Sequence, residues 1–250
     1  MELFIVIGVV FVLFFIIRAR NKVKYVVKGL KWFIGVGFYE RSKLSPAETF
    51  LLTMRVTAKC RFNAASRLSN LNKFSFLTTT LLSLGLIFIP LAQNSDIDIV
   101  IKQGVINMMQ IFLAVSVLVY SIIIGTSKYE VRSEKLTACG DSLKELIRKL
   151  NKKLKENSLE INELEDYQVT YAHIISKTEN PQNVDYIIAT LDMGRDYKIT
   201  GLRRLHLKIK SYFLLCIPYY IPVLMLSLEA TFIFYMLIPD NVPDFLKLKN

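Results

Sequence analysis

The chain has 250 residues, of which 52% are hydrophobic and 21% charged, with a formal net charge of +11. That balance excludes a disordered chain, and it excludes a water-soluble globule unless the apolar residues are evenly spread. They are instead gathered into four runs nearly free of charge: Leu3–Ile17, Phe74–Gln93, Gly104–Ser127 and Ser211–Pro239, the last broken only by Glu229.

A helix needs about 20 mostly apolar residues to cross a bilayer. The last three runs meet this length, and the first is short but usable with local thinning or snorkelling ends. The charges of the first run follow it, at Arg18, Arg20, Lys22 and Lys24, without a small-x-small cleavage site. It therefore reads as an uncleaved anchor and not a signal peptide. Residues 18–44 are basic with interspersed aromatics, which suits either a segment lying on the inner leaflet or a packed connector. Residues 1–44 form a first unit, 45–210 a second and 211–250 a third.

Ser45-Pro46-Ala47-Glu48 carries the N-cap, first-turn proline and N3 glutamate of a capping box. No proline or glycine follows until Gly85, so one helix is predicted from the cytoplasm into the membrane. Leu52, Val56, Cys60, Ala64, Leu68 and Leu71 form its apolar face, while Arg55, Lys59, Arg61 and Arg67 ride elsewhere on it. The short connector of residues 94–103 makes the second and third apolar runs a hairpin, at about 74–127. Both arms carry a polar stripe: Ser75, Thr79 and Ser83 on one, and Asn107, Gln110, Ala114, Val117, Ser121 and Gly125 on the other. Small and polar residues so spaced either join membrane helices to one another or line a water-filled path.

Beyond the hairpin, helix is predicted into the cytoplasm with no breaker before Gly140. Leu136, Leu143, Ile147, Leu150 and Leu154 recur at near-heptad spacing. Asn157 and Glu160 form a second capping pattern, predicting a kink or turn there. A following helix ends at Asn180-Pro181, and another is predicted over about Val184–Ile209, with Gly194 and Gly201 inside it. In the last apolar run, Pro218 and Pro222 predict a kinked or re-entrant segment. Glu229 is the only acid in any membrane run, which points to function or a partner unless it reaches the outer interface.

Lys and Arg outnumber Asp and Glu by 13 to 2 over residues 18–73 and by 16 to 13 over 128–210, whereas 94–103 and the tail carry no excess. The positive-inside rule places 18–73 and 128–210 in the cytoplasm of a multi-pass protein of the cell inner membrane. The charge is a topology signal and an attraction to anionic lipid, and direct nucleic-acid binding is not expected. Glu130, Arg132 and Glu134 lie just beneath the hairpin. Glu130 or Glu134 is predicted to meet Arg61 or Arg67 on the helix alongside.

No nucleophile, phosphate-binding or metalloprotease motif is present, so no enzyme activity and no catalytic residue is expected. Cys60, Cys139 and Cys216 have no spacing for a disulfide or zinc, and His173 and His206 are not spaced to share a metal. No metal site and no cofactor is expected.

The basic helix "RVTAKCRFNAASRLSNLNKFS" enters the hairpin, and the hairpin exits into "SKYEVRSEKLTACGDSLKELIRKL", followed by "YQVTYAHIISKTENPQNVDY". With Tyr129-Glu130, Arg132, Glu134-Lys135-Leu136, Cys139, Glu179-Asn180 and Asp185-Tyr186, this resembles the SLATT proteins. Those are the SMODS- and SLOG-associated two-transmembrane effectors of bacterial conflict systems. It is most similar to the subgroup found beside reverse transcriptases. The resemblance covers roughly residues 45–200 and implies an all-α membrane protein, a transmembrane hairpin extended by long cytoplasmic helices. The terminal membrane segments are additions to it.

The resemblance further implies a homo-oligomeric effector in the lipid bilayer that forms or opens a pore in antiviral defence or abortive infection. A cytoplasmic sensor, a nucleotide-signal enzyme or a reverse transcriptase encoded nearby would trigger it. Thr79, Ser83, Asn107, Gln110, Ser121 and Glu229 are the pore-lining or interhelical candidates. The alternative is a non-pore membrane scaffold or sensor that recruits a cytoplasmic partner.

Overall fold

The computed structural model describes residues 45–95, 99–156, 161–194, 196, 197 and 199–238. The predicted N-terminal anchor, the basic segment after it and the tail lie outside these residues. Every regular element described is helical, as an all-α membrane protein requires, because lipid leaves no water to satisfy exposed backbone groups.

The axis of the fold is helix α1, Pro46–Gln93, 48 residues long and so about 72 Å from end to end. Its start is the predicted capping box: the Glu48 amide donates to Ser45 Oγ at 3.2 Å, and the Ser45 amide donates to Glu48 Oε2 at 2.8 Å. Its first 28 residues bury an apolar face among the helices outside the long apolar runs. Its remainder presents large apolar side chains such as Phe76, Leu84, Ile87 and Leu91 outward, as a lipid-facing helix does.

Helix α2, Gln103–Ser127, returns antiparallel to the upper part of α1. Leu82 and Ile89 pack with Ile106 and Leu113 in one cluster. Lys128 then takes a left-handed conformation, φ 47° and ψ 41°, before helix α3, Tyr129–Lys155, begins. A single residue thus breaks the helix predicted to run straight from membrane to cytoplasm. Left-handed backbone in a residue with a β-carbon is strained, and α3 continues beyond it in the same direction along α1.

The pairing of α3 with α1 runs antiparallel in even steps. Ser133 Oγ donates to the Ala65 carbonyl at 2.8 Å, Phe62 lies on Gly140, and Met54 packs with Leu146 and Leu150. The heptad positions Leu136, Leu143 and Leu150 are all fully buried in this seam. Gly140, read from sequence as the first breaker, lies inside an unbroken helix. A β-carbon there would stand 2.7–2.9 Å from three atoms of the Phe62 ring. Gly140 is therefore a close-approach residue. Alanine stabilises an open helix by up to about 1 kcal/mol over glycine. Gly140→Ala should instead destabilise this protein by about 1–3 kcal/mol through overpacking. Thermal unfolding of the detergent-solubilised protein measures this, and a raised midpoint would overturn it.

The turn predicted at Asn157–Glu160 lies outside the described residues, and helix α4, Ile161–Ser176, packs onto the lower ends of α1 and α3. Tyr171 of α4 makes an edge-to-face contact with Phe50 at 5.5 Å and shares a 2.9 Å hydrogen bond with Thr57. The single helix predicted over Val184–Ile209 is two helices, α5 (Asn183–Asp192) and α6 (Gly201–Cys216). Gly201 begins the second of them at φ 60°, in the left-handed region that glycine enters at no steric cost.

From α6 the chain passes through a 3-10 turn at Ile217–Tyr219 into helix α7, Tyr220–Leu237. The two prolines thus produce a tightened turn without reversing the chain. α7 climbs beside α1, with Tyr219 at 4.9 Å from Phe74, Glu229 against Gly85 and Met236 in the cluster with Ile89. Among the described residues, three helical stretches are long and apolar enough to cross a membrane: α1, α2 with α3, and α6 with α7.

Candidate functional site

Two groups of polar side chains stand out against this apolar frame, one just beneath the membrane hairpin and one within it.

Beneath the hairpin, Arg67 of α1 binds Asp185 of α5 through two hydrogen bonds, Nε to Oδ1 and Nη2 to Oδ2, both 3.0 Å. Asp185 is completely buried. Its Oδ2 also accepts from the Gln182 amide at 2.8 Å, so the same carboxylate caps the start of α5. Asn63 donates to the Asp185 carbonyl at 3.1 Å. In the connector before α5, the Glu179 carbonyl accepts from Arg61. The Glu179 carboxylate receives Arg132 of α3 at 2.8–3.1 Å. Arg132 also donates to the Ser127 carbonyl at 3.2 Å, a group left open where α2 ends beside the left-handed Lys128. One arginine thus joins the end of the membrane hairpin to the 179–182 connector.

This corrects the ion pairs expected from sequence. α1 and α3 do lie side by side, but Glu130 and Glu134 are exposed, and the acids that meet Arg67 and Arg132 are Asp185 and Glu179. The reason is the handedness of the packing. The face of α3 turned to α1 carries Ser133, Leu136 and Gly140, which places Glu130 and Glu134 outside the seam. Asp185 and Glu179 come from a segment more than a hundred residues from Arg67, so no local spacing announces them.

Cys60 lies under α5 with Val56 and Ala189. Burial, reinforced by Asp185 and opposed by Arg61, pushes its thiol up to about 11. It remains protonated at neutral pH, which makes it a packing residue and not a nucleophile.

Within the membrane, the predicted polar residues have separate surroundings. Thr79 and Ser83 donate back to carbonyls of their own helix, Ser75 and Thr79 respectively. Ser121 does the same to Val117, and Asn107 bonds Gln103 on its own helix at 3.2 Å. Only Gln110, bonded to Gln93, and Ser75, bonded to Tyr120 at 3.2 Å, reach across from α1 to α2. Asn107, Ala114, Ser121 and Gly125 line one exposed face of α2. A β-carbon on Gly125 would meet nothing within 4 Å. Glu229 is 4% exposed, and its Oε1 has no hydrogen-bond partner among the described residues. It sits in the notch that Gly85 leaves in α1.

The order of these pieces, a basic helix, a membrane hairpin, a heptad helix and an acid-bearing connector, is that of a known family. A sequence model of the SMODS and SLOG-associating 2TM effector domain family 5 matches residues 43–233. The chain belongs to that SLATT family. Membership marks it as a membrane effector domain of the conflict-system type. The match extends through most of α7, so the third membrane-length helix lies almost wholly within the matched region. Comparisons with curated proteins and with solved structures gave no significant match.

Proposed function

We propose that this SLATT protein is a pore-forming or membrane-disrupting effector of a bacterial antiphage system. On this reading it sits in the inner membrane with residues 18–73 and 128–210 on the cytoplasmic side. It acts as a homo-oligomer without covalent chemistry, and it is triggered through its cytoplasmic helices, by a sensor, a nucleotide-signal enzyme or a reverse transcriptase encoded nearby.

The observation that supports this best is the stripe of Asn107, Ala114, Ser121 and Gly125, exposed on a helix otherwise covered in large apolar side chains. In a lone copy these residues would face lipid. Asparagine and serine facing hydrocarbon are unfavourable, whereas small and polar residues at this spacing let helices of neighbouring copies approach and hydrogen-bond. Around an axis, the same stripe would line a wet path. The juxtamembrane arginines supply the connection to the cytoplasm, because Arg132 holds both the end of α2 and the connector to α5.

The double substitution Asn107→Leu with Ser121→Leu tests the pore. Both side chains are exposed, so stability should change by no more than about 0.5 kcal/mol. Depolarisation of phage-challenged cells, followed with a voltage-sensitive dye, should be lost. Unchanged depolarisation would take this stripe out of the conducting path, and no depolarisation by the wild type would leave a scaffold that recruits a cytoplasmic partner.

A further inference from the structure

A cavity of about 530 Å³ opens between the lower half of α1, α4 and the connector to α5. It is lined on one side by Leu52, Val56 and Ile175, and on another by Arg61, Tyr171 and Tyr186. Ligand pockets of this size and mixed character hold molecules of a few hundred daltons.

Arg61 is the feature that asks for a ligand. It is 2% exposed, yet among the described residues no carboxylate lies within ion-pair distance of it. One terminal nitrogen donates to the Glu179 carbonyl, while its Nε has no partner. The acids nearby are already engaged. Asp185 holds Arg67 and the Gln182 amide, and Glu179 holds Arg132. Three arginines therefore share two carboxylates, which leaves one buried positive charge uncompensated. A buried guanidinium without a counter-charge is costly, and supplying an anion removes that cost. The remaining walls combine apolar and aromatic side chains with the polar groups of Thr53, Thr57 and Asn180, which favours an organic body carrying its own polar groups over a bare inorganic ion.

We propose that this cavity binds an organic anion, a phosphate or carboxylate carried on an aromatic body, with its charged group on Arg61. Its aromatic body lies between Tyr171 and Tyr186 and the apolar wall of α1. Because α1 continues unbroken into the membrane, a ligand bridging α1, α4 and the connector acts on the same connector that Arg132 ties to the hairpin. Binding stands independently of the pore reading, and only its consequence for the membrane rests on that reading.

The test uses the full-length protein in lipid nanodiscs and titration calorimetry with three probes. Phenyl phosphate supplies head and ring, benzyl alcohol the ring alone, and inorganic phosphate the head alone. Phenyl phosphate should bind more tightly than either of the others. Arg61→Met should weaken it by about 10- to 100-fold, as loss of a charge-assisted hydrogen bond does. Leu52→Trp keeps the arginine and fills the apolar side, and it should weaken binding to a similar degree. The proposal is overturned if phenyl phosphate does not bind, or if it binds equally well to both variants. Tight binding without any effect on vesicle leakage would leave the site standing and sever its link to the membrane.

Discussion

Arg67→Met should loosen α5 from α1 by about 3–5 kcal/mol, because it strands a completely buried carboxylate without its counter-charge. The thiol of Cys60, covered by Ala189 of α5, reports this directly. In a Cys216→Ser background its alkylation should accelerate by about a hundred- to several-thousand-fold, the population change that such a free energy gives. Cys139 is buried elsewhere, against Ile174 of α4. It separates undocking of α5 from general unfolding, since only Cys60 should gain reactivity. Asp185→Asn should cost less than Arg67→Met. The Arg67 side chain it strands is 11% exposed and can turn toward water, although the cap on the Gln182 amide is weakened. The double variant should recover part of the loss, with a coupling of about 0.5–3 kcal/mol. Equal Cys60 labelling of wild type and Arg67→Met would show that the pair does not hold α5 in place. The thiol also sets a pH window. Between the ordinary thiol value of 9.0 and about 11, an unfolded Cys60 releases its proton while the folded one keeps it. The unfolded state then binds fewer protons, and stability falls as pH rises through that window.

The elements that follow from short-range rules were readable in the sequence. Ser45 and Glu48 make the capping box that their spacing announces, and Leu136, Leu143 and Leu150 occupy the buried seam that their period demands. The last three apolar runs became helices of membrane length, and the first lies outside the described residues. Readings that depended on distant neighbours failed. Gly140 looks like a helix breaker until Phe62, on another helix, is placed against it. Glu130 and Glu134 look like partners for the arginines because they are near in sequence to the hairpin. Yet a one-third turn of α3 decides which side chains face α1, and that rotation is fixed by Ser133, Leu136 and Gly140 together. Asp185 and Glu179 had already been marked by the family resemblance, with no physical role attached to them. Their role becomes visible only when Asp185 is seen to cap α5 and hold Arg67 at once. The uncompensated charge on Arg61 was invisible for the same reason, since it is a difference between three cations and two anions drawn from four segments.

Glu229 and Gly85 give the other large expected effect, and it separates packing from function inside the membrane. A β-carbon on Gly85 would stand 1.7 Å from Glu229 Oε1, 2.6 Å from Cδ and 3.1 Å from Cγ. Gly85→Ala must therefore evict the carboxyl from its notch, and it should destabilise the docking of α7 on α1 by about 1–3 kcal/mol. Adding Glu229→Ala to Gly85→Ala clears the overlap and should restore most of that loss. Glu229→Met alone replaces a buried, unpartnered carboxyl by an apolar chain of similar length. Thermal unfolding in detergent should then show equal or greater stability, because no hydrogen bond is lost and an unsatisfied polar group is removed. A residue that weakens the fold it occupies is retained for use, and an acid within a membrane helix is the strongest instance of this. Glu229→Met should accordingly keep the protein folded and reduce dye-detected depolarisation at least tenfold. Full depolarisation in a folded Glu229→Met protein would mark Glu229 as filler for the Gly85 notch. Loss of fold in that variant would show that the carboxyl has a stabilising partner outside the described residues.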